Sequence, residues 1–500
     1  MGSLLNIKFN SKLFIDFFRT PKNYILLFFC IIFSLISIVN HYNYRTYSFD
    51  LGIYNNCLYQ YGHFHKNHYP YLHYMFTNFL SDHFSLYTVI LSPLYYIFGT
   101  PTLLYIQILS ILFGSVGIYK LVKKRFDKPF YPELAMIHYL SFFGIYSALA
   151  FDYHDNVVSA MLMPWFFYYF DSKKIKLTVL FAILIVIGKE NMPIWLAFVC
   201  MGLFLLYYKD KTQKRMALFL ALFSIVYVIV IIKFVMPAMD PMVAKNGYNA
   251  FQYSILGNSS KEIMANFIHD PLKIIKAFFV SHKEDMPELK NIKYELYICL
   301  LLSGGWMLLL RPQYLVMLIP IIAQKVLSDD FVKWGISGHY SIEFAPIVVI
   351  CFYDGLSYVK KNVYQLSLAI LVTISTIFIT NKKMLSRASY YYDKRNGCFY
   401  IKEHYACEFN KTEVKRVMEL IPKEANLSAL NLFGAHLSFR KNIYQYPDVH
   451  DAEYILLAST ENSYPVRGAD LENDINDLKN SDEWQTISAN KGVYLFKKKQ

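Results

Sequence analysis

Apolar runs separated by short polar segments fill most of the first 380 residues. Eleven runs can be distinguished, at about 24–39, 101–122, 131–150, 156–170, 177–189, 192–208, 216–237, 294–310, 313–327, 342–357 and 363–380. A helix needs about 20 apolar residues to cross a bilayer at right angles, and shorter runs can be accommodated inside a helix bundle. The pattern therefore predicts a polytopic α-helical membrane protein of about eleven spans.

The loops between these runs alternate between two chemical classes. Because Lys and Arg concentrate in cytoplasmic loops, the alternation predicts a cytoplasmic N-terminus. The basic residues before Tyr24 resemble those of a signal anchor, and no cleavage site follows the first run. The basic loops lie at 123–125, 173–176, 209–215, 311 and 360–361, and the loops with acids and histidines at 50–83, 152–155, 189–190, 238–290 and 328–339.

The first outer loop, residues 43–100, carries two further apolar patterns. Leu51, Tyr54, Leu58 and Tyr61 recur at helical spacing, with Asn55, Asn56 and Gln60 between them. This is typical of an amphipathic helix lying on a membrane surface. The run Ser85–Phe98 is short and interrupted by Pro93. We expect it to be a re-entrant or interfacial helix rather than a span.

The sequence predicts a membrane part over residues 1–382 and a small α/β domain over 383–500. A helix is expected at about 412–420, ending before Pro422, and strands at 427–433, 454–458 and 493–496. Outside the membrane Cys398 and Cys407 could pair as a disulfide or stay free thiols, and the sequence leaves both open.

Composition excludes several other classes of protein. Of 500 residues 55% are hydrophobic and only 17% charged, and the mean hydropathy is +0.27. These values exclude a disordered chain or a string of soluble domains, and 7 cysteines exclude a disulfide-dense scaffold. The net charge of +13 lies mostly before residue 382. Such a positive charge is typical of cytoplasmic loops that lie beside an anionic membrane leaflet, and we do not interpret it as a nucleic-acid-binding surface.

Ionisable residues gather at one set of span ends, on the predicted outer side. Such residues are costly near a membrane and are therefore candidates for function. If the spans form one bundle, these residues converge on one cavity. They are Asp50, His83, Asp152, His154, Lys189, Glu190, His339 and Tyr340.

The types of residue suggest group transfer from a lipid phosphate. A carboxylate such as Asp50 can act as general base, and Lys189 or His83 can hold a phosphate. Carboxylate and imidazole could instead bind a divalent cation, Mg²⁺ or Mn²⁺, with Asp50, Asp152 and His154 as candidate ligands. Structural roles stay open as well, because Asp50 could cap a helix and Lys189 and Glu190 could form an ion pair.

The ordered set of short motifs resembles a family of bacterial and archaeal predicted membrane proteins of unknown function. The motifs are Phe49-Asp50-Leu51-Gly52-Ile53, His83-Phe84 with Ser92-Pro93-Leu94, Phe151-Asp152-Tyr153-His154, Lys189-Glu190, His339-Tyr340, Ile421-Pro422, Ala435-His436-Leu437-Ser438 and Arg440. That family is similar to the GT-C glycosyltransferases, which include oligosaccharyltransferases, protein mannosyltransferases and aminoarabinose transferases. The resemblance implies a polyprenyl-phosphate sugar donor, a first outer loop with two juxtamembrane helices, a catalytic carboxylate at Asp50 and a phosphate contact near His83.

The resulting hypothesis is an inverting GT-C-type glycosyltransferase of the inner membrane with a GT-C-like bundle and a periplasmic C-terminal domain. It would move a sugar from a polyprenyl-phosphate donor to an acceptor glycan, lipid or protein on the outer side. Asp152, His154, Glu190, His339 and Tyr340 would bind the acceptor or an ion. Two alternatives stay open. One is a transporter or flippase of a lipid-linked or small polar substrate, and the other a non-catalytic envelope assembly protein.

Overall fold

The apolar runs fold into helices that overlap every predicted span. The structure, a computed structural model, describes residues 20–65, 68–126, 128–246, 252–283, 285–389, 392–460 and 462–499; the basic segment before residue 20 lies outside the described residues. The helices of seven or more residues are α1 (Pro21–Tyr42), α2 (Ile53–Gly62), α3 (Thr102–Arg125), α4 (Tyr131–Leu140), α5 (Phe143–Leu149), α6 (Asp155–Asp171), α7 (Ile175–Val186), α8 (Met192–Leu206), α9 (Lys211–Val230), α10 (Ser260–His269), α11 (Pro271–Phe279), α12 (Ile292–Leu300), α13 (Pro312–Val326), α14 (Phe344–Leu356), α15 (Asn362–Leu385), α16 (Lys411–Glu419), α17 (Asn431–Leu437) and α18 (Gly468–Lys479).

Only some of these helices are long enough to cross a bilayer alone. Within the described residues, four stretches are both long and apolar enough: Pro21–Tyr42, Thr102–Arg125, Lys211–Met239 and Asn362–Leu385. The other helices of the bundle are shorter, and α7, α8 and α14 are apolar throughout most of their length. The structure therefore confirms a helical protein with several membrane-capable helices, and the count of about eleven spans stays a prediction.

Two predicted runs contain a break, and each break exposes a main-chain carbonyl that another helix satisfies. Between α4 and α5 the carbonyl of Ser141 accepts a hydrogen bond from the Thr380 hydroxyl at 2.8 Å. After α12 the backbone turns at Gly304, where φ is +85°, and the Ser303 carbonyl lies 3.2 Å from Nε2 of His138. Non-helical backbone at membrane depth needs such internal partners. These breaks explain why the helices are shorter than the runs.

The first outer loop confirms one predicted face of α2 and contradicts the other. Leu51, Tyr54 and Leu58 are buried, as the pattern predicts. The polar side chains of Asn55, Asn56 and Gln60 are buried too, whereas a helix on a membrane surface would turn them to water. The reason is that they donate hydrogen bonds to main-chain carbonyls between residues 435 and 441. α2 therefore lies between the membrane helices and the C-terminal residues.

The C-terminal residues 411–498, here called the C-terminal unit, form a five-stranded sheet with three helices. The strands are β1 (Leu427–Ala429), β2 (Ile443–Gln445), β3 (Tyr454–Ala458), β4 (Trp484–Asn490) and β5 (Val493–Lys498), in the order β2-β1-β3-β5-β4. β1 is parallel to β2 and β3, and β5 is antiparallel to β3 and β4. The predicted helix and the strands at 454–458 and 493–496 are confirmed. The strand expected over 427–433 ends at Ala429, and the chain then forms α17.

Cys398 and Cys407 are both free thiols. Cys398 is buried with its sulfur 2.8 Å from the Met384 carbonyl oxygen, whereas Cys407 lies 3.8 Å from the Asn43 carbonyl oxygen. Each sulfur thus contacts a different part of the chain, and the two residues do not form a disulfide. α15 continues to Leu385, and the domain division near residue 382 stays a prediction.

Candidate active site

Asp50 lies on a five-residue π-helical turn, Ser48–Gly52, here called the Asp50 turn. Its main chain is held from two sides. The carboxylate Oδ2 of Asp152 accepts the N–H of Tyr47 at 2.8 Å and that of Leu51 at 3.5 Å. Oδ1 of Asn431, from the C-terminal unit, accepts the N–H of Ser48 at 2.9 Å. The turn presents the Asp50 side chain, which is 26% exposed, to a cavity.

His154 is the direct partner of Asp50, with Nε2 3.2 Å from Oδ1 of the carboxylate. The main-chain N–H of His154 donates to Oε1 of Gln107 at 3.0 Å, and its ring stacks on His339 with centroids 3.5 Å apart. Burial lowers the pKa of His154 below its usual range, although the hydrogen bond and charge of Asp50 oppose this. A neutral imidazole can donate Nε2–H to Asp50 and so fix the orientation of the carboxylate.

Asp152 does not line the cavity, which corrects the prediction that it binds acceptor or ion. It is fully buried and its carboxylate faces the main chain of the Asp50 turn. Burial, and then the charge of Asp50, raise the pKa of Asp152 well above its usual range. Of the two neighbouring carboxyls, Asp50 is the one that contacts the cavity, and Asp152 is the one that holds the main chain of the turn.

His83, Lys189 and Glu190 line the same cavity. His83 Nδ1 lies 3.6 Å from Oε1 of Glu190, and the other Glu190 oxygen accepts the N–H of Phe84 at 3.1 Å. Burial lowers the pKa of His83, but the charges of Asp82 and Glu190 outweigh it and the net shift is upward. Among the described residues Lys189 forms no salt bridge, and the close partner of Glu190 is His83 rather than Lys189, the structural alternative left open by the sequence. Lys189 lines the cavity and acts on Glu190 through its charge.

The cavity lining also includes His339 and Tyr340, together with two lysines that sequence reasoning missed. Nζ of Lys325 and of Lys333 lie 6.0 Å and 5.8 Å from the Tyr340 ring centroid. Lys325 Nζ also donates to the Gly335 carbonyl at 2.7 Å. The available signal was that Lys325 is a lone charge near the end of the apolar run 313–327, which marks a candidate functional residue.

Together these residues line a cavity of about 500 Å³. Of the predicted site residues, it brings together Asp50, His83, His154, Lys189, Glu190, His339 and Tyr340, and leaves out Asp152. Asp82, Asn156 and Glu343 also reach it, the last two joined by a hydrogen bond of 2.8 Å. Asp50, the most exposed of the cavity carboxylates, therefore shares the cavity with three lysines, Lys189, Lys325 and Lys333, a set of groups suited to an acceptor hydroxyl and a phosphate.

An apolar groove of about 240 Å³ adjoins the cavity between α8 and α13. Ile194, Trp195, Leu256, Pro320 and Leu327 line it. The groove shares four lining residues with the cavity, namely Asn191, Tyr253, Ile321 and Gln324. We call it the lateral groove. It gives an apolar chain a path that leads directly to the polar cavity.

The residues proposed as metal ligands do not fit a three-ligand site. Asp50 and His154 are bonded to each other, and Asp152 faces the main chain. In the described ranges, no group of three or more His, Cys, Asp or Glu side chains is arranged to hold a metal ion. A role for Mg²⁺ or Mn²⁺ therefore stays a prediction.

Solved structures are similar to this chain at low sequence identity. ArnT from Cupriavidus metallidurans bound to undecaprenyl phosphate is 10% identical, with a TM-score of 0.51 over 95% of this chain and 98% of its own. The Archaeoglobus fulgidus oligosaccharyltransferase is 11% identical. Its apo form gives a TM-score of 0.45 over 88% of this chain and 70% of its own. The form tethered with an acceptor peptide containing the NVT sequon gives 0.48 over 96% and 74%. The likeness to ArnT confirms the expected GT-C-like fold, which by itself does not fix activity.

Family membership rests on a match along most of the sequence. No curated protein sequence matches the chain. One family model matches residues 40–495, which include the first outer loop, every cavity residue named above and nearly all of the C-terminal unit. This confirms the resemblance expected from the ordered motifs, and the chain belongs to the family described as predicted membrane protein DUF2079.

Proposed function

We propose that the protein is a membrane glycosyltransferase that moves a sugar from a polyprenyl-phosphate donor to an acceptor. The observation that carries the proposal is the position of Asp50. Its carboxylate is exposed to a cavity, accepts a hydrogen bond from His154 and shares that cavity with Lys189. A candidate general base and a candidate phosphate contact thus line one space of about 500 Å³.

The reaction requires one bond to form and one to break at the anomeric carbon of the sugar. Asp50 accepts the proton of an acceptor hydroxyl or amide as its oxygen or nitrogen attacks that carbon. The bond between the carbon and the phosphate oxygen breaks, and polyprenyl phosphate leaves with the electron pair. Lys189, Lys325 and Lys333 line the same cavity and can stabilise the negative charge that develops on this phosphate. Attack opposite to the leaving phosphate inverts the anomeric centre.

The lateral groove supports a lipid-linked donor rather than a soluble nucleotide sugar. Its apolar lining joins the cavity on the side of Lys325 and opens between α8 and α13. A prenyl chain in this groove would bring its phosphate to the cavity lysines while the sugar reaches Asp50. We infer that the cavity faces the outer side of the inner membrane, because the basic loops lie at the opposite helix ends.

The proposal is tested by lipid analysis of cells that express the wild type, Asp50→Asn or Asp470→Asn at equal levels. Asp470 is exposed on α18 and serves as the matched control for the loss of a carboxylate. Mass spectrometry follows polyprenyl-phosphate sugars and newly glycosylated envelope products. We expect Asp50→Asn alone to accumulate donor and to lose product, with transfer reduced about 10²- to 10⁴-fold. Identical profiles for all three would contradict the proposal and favour transport.

Repeating the transfer assay with a chelator and added Mg²⁺ or Mn²⁺ tests metal dependence.

A further inference from the structure

The loop between α9 and α12 carries two short helices that no function above uses. α10 begins after Ser259, whose hydroxyl accepts the N–H of Glu262 at 3.2 Å. α11 begins after Asp270, whose carboxylate accepts the N–H of Lys273 at 3.1 Å. Each start is thus fixed by its own N-cap, and Pro271 follows the second cap. We call α10 and α11 together the surface hairpin.

The surface hairpin exposes a row of large apolar side chains. On α11, Ile274 and Ala277 are buried against the protein, and a second apolar stripe points outward. α10 adds three apolar residues at helical spacing. Each of these six side chains is at least half exposed: Met264, Phe267, Ile268, Leu272, Ile275 and Phe279. A contiguous patch of this kind marks a surface that contacts another apolar phase.

The C-terminal end of the hairpin is fixed to the first turns of α12. Lys293 Nζ donates to the carbonyls of Ala277 at 2.5 Å and Val280 at 3.0 Å, and lies 4.2 Å from the ring centroid of Trp334. The Tyr297 hydroxyl donates to the Phe278 carbonyl at 2.9 Å. These donors satisfy carbonyls at the end of α11 that would otherwise lack partners. They place α11 at the level where an apolar helix enters the bundle.

The exposed stripe of the hairpin continues the apolar surface of α12. The Phe279 ring lies 5.5 Å from that of Tyr297, and the neighbouring Tyr294, Ile298 and Leu301 are also exposed. Both surfaces therefore face the same medium. For α12, an apolar helix of a membrane protein, that medium is lipid.

We propose that the surface hairpin lies in the interfacial layer of the bilayer, on the side of the membrane that carries the cavity, with its six apolar side chains among the acyl chains. Insertion is apolar rather than electrostatic, because Lys261, Lys273 and Lys276 on the hairpin are nearly balanced by Glu262 and Asp270.

The embedded hairpin borders the lateral groove. Asn266 Nδ2 donates to the Leu256 carbonyl at 2.9 Å, and Leu256 lines the groove. The groove mouth is thereby held at the depth of the lipid headgroups.

The experiment places a spin label at Leu272→Cys or at Lys273→Cys in the full-length protein, in phosphatidylcholine nanodiscs, with Cys30 and Cys407 replaced by serine. The two positions are adjacent and both exposed, but only Leu272 belongs to the apolar stripe. We expect the label at 272 to collide more often with oxygen than with a water-soluble nickel complex, and the label at 273 to show the reverse.

Three results would overturn the inference. Equal access of the nickel complex to both labels would place the hairpin in water. Shielding of the label at 272 from both reagents would show that protein, such as a second copy, covers the stripe. Adding anionic lipid should leave the oxygen-to-nickel ratio at 272 within about twofold, and a requirement for anionic lipid would contradict apolar insertion. None of these readouts depends on transfer activity.

Discussion

Asp50 and Asp152 carry the same carboxyl group but have different roles in the structure. Asp50 reaches the cavity, whereas Asp152 accepts two main-chain N–H groups of the Asp50 turn. An amide oxygen can accept the same hydrogen bonds, so Asp152→Asn should keep the fold. Asp152→Ala leaves buried N–H groups without an acceptor and should lower the free energy of unfolding by about 1–3 kcal/mol. Thermal unfolding in detergent measures this difference.

Activity separates the two carboxylates further. We expect Asp152→Asn to retain transfer within about tenfold of the wild type, because Asp50 stays in place. The Asp50→Asn protein should unfold like the wild type and fail in transfer. If Asp152→Asn were as stable as the wild type but inactive, Asp152 would take part in the chemistry after all.

The His83–Glu190 pair predicts a pH-dependent contribution to stability. The net pKa shift of His83 is upward, and that of Glu190 is downward to about 2, since His83 and Lys189 outweigh the effect of burial. The His83 contribution is complete below its unfolded pKa of about 6.5 and is lost as pH rises through its higher folded value. The Glu190 contribution is present above its unfolded pKa of about 4.3 and is lost as pH falls toward 2. The pair therefore stabilises the fold most between about pH 4.3 and 6.5.

Comparing pH 6 with pH 8.5 tests this window. The Tm difference between wild type and His83→Gln should be larger at pH 6 than at pH 8.5. His269→Gln, on the exposed end of α10, controls for the loss of an imidazole and should show the same Tm difference at both pH values. A His83→Gln difference that grows with pH would mean that the neutral ring is the stabilising form.

At the scale of residues, the sequence identified many of the side chains that line the cavity, because polar groups at helix ends are conspicuous among apolar runs. Asp50, His83, His154, Lys189 and His339 could be found this way. The orientation of a side chain is set by tertiary contacts that no local pattern records. For this reason Asp152 could not be distinguished from a cavity residue, and Lys325 was hidden in an apolar run.

The element that determines the position of the Asp50 turn is α17, from the far end of the chain. Amide groups of Asn55 and Asn56 on α2 donate to the carbonyls of Ala435, Ser438 and Arg440, which lie at or just beyond the C-terminal end of α17. They satisfy helix-end carbonyls that have no partner inside α17. α2 and α17 therefore form one unit, with the Asp50 turn at its edge.

Gly434→Ala tests this coupling between α17 and the site. A Cβ atom at Gly434 would lie 1.9 Å from Oγ and 2.9 Å from Cβ of Ser48, so Ser48 of the Asp50 turn and α17 can no longer pack as they do. We expect kcat to fall at least tenfold, because a displacement of about 1 Å can cost 10²-fold in rate. The measurement is the transfer rate of purified folded protein.

Gly468→Ala on α18 makes the same chemical change where nothing lies within 4 Å of the new Cβ, so it should be nearly silent. Wild-type kcat in the Gly434→Ala protein would show that α17 does not set the geometry of the turn.

At the scale of elements, periodicity predicted helices well and their surroundings poorly. The apolar run 427–433 is too short to separate a strand from a helix, and the structure contains both, β1 and α17. The polar side of α2 was assigned to water because amides usually prefer it. Their actual partners are carbonyls about 380 residues away in the chain, which no local pattern could reveal.

The whole molecule has different chemistry at its two ends. Opposite the cavity, Asp354 accepts a hydrogen bond from Arg125 at 2.8 Å and forms an ion pair with Arg311 at 2.7 Å, which joins the ends of α3 and α14 to the start of α13. Asp354→Ala leaves two half-buried guanidinium groups without their partner. We expect a loss of about 3 kcal/mol in the free energy of unfolding. Transfer per folded molecule should not change, since the cavity is at the other end.

An exposed pair provides the comparison for Asp354. Lys173 pairs with Asp210 near the surface, and Lys173→Ala should cost less than about 1 kcal/mol. Both variants are measured by chemical unfolding in detergent. A similar small cost for Asp354→Ala would mean that the bundle does not depend on this ionic contact.

The predicted orientation of the molecule in the membrane rests on charge rather than on shape. A helix bundle packs equally well in either direction, but basic loops are retained on the cytoplasmic side. Lys174 lies in such a loop, and Asp470 lies on the C-terminal unit, on the same side as the cavity; both are exposed. In spheroplasts we expect a membrane-impermeant maleimide to label Asp470→Cys directly and Lys174→Cys only after permeabilisation. The reverse labelling would place the cavity in the cytoplasm, where a donor on the outer leaflet could not reach it. Because Asp470 is tied to the Asp50 turn through the C-terminal unit, this single comparison fixes the side on which any transfer must occur.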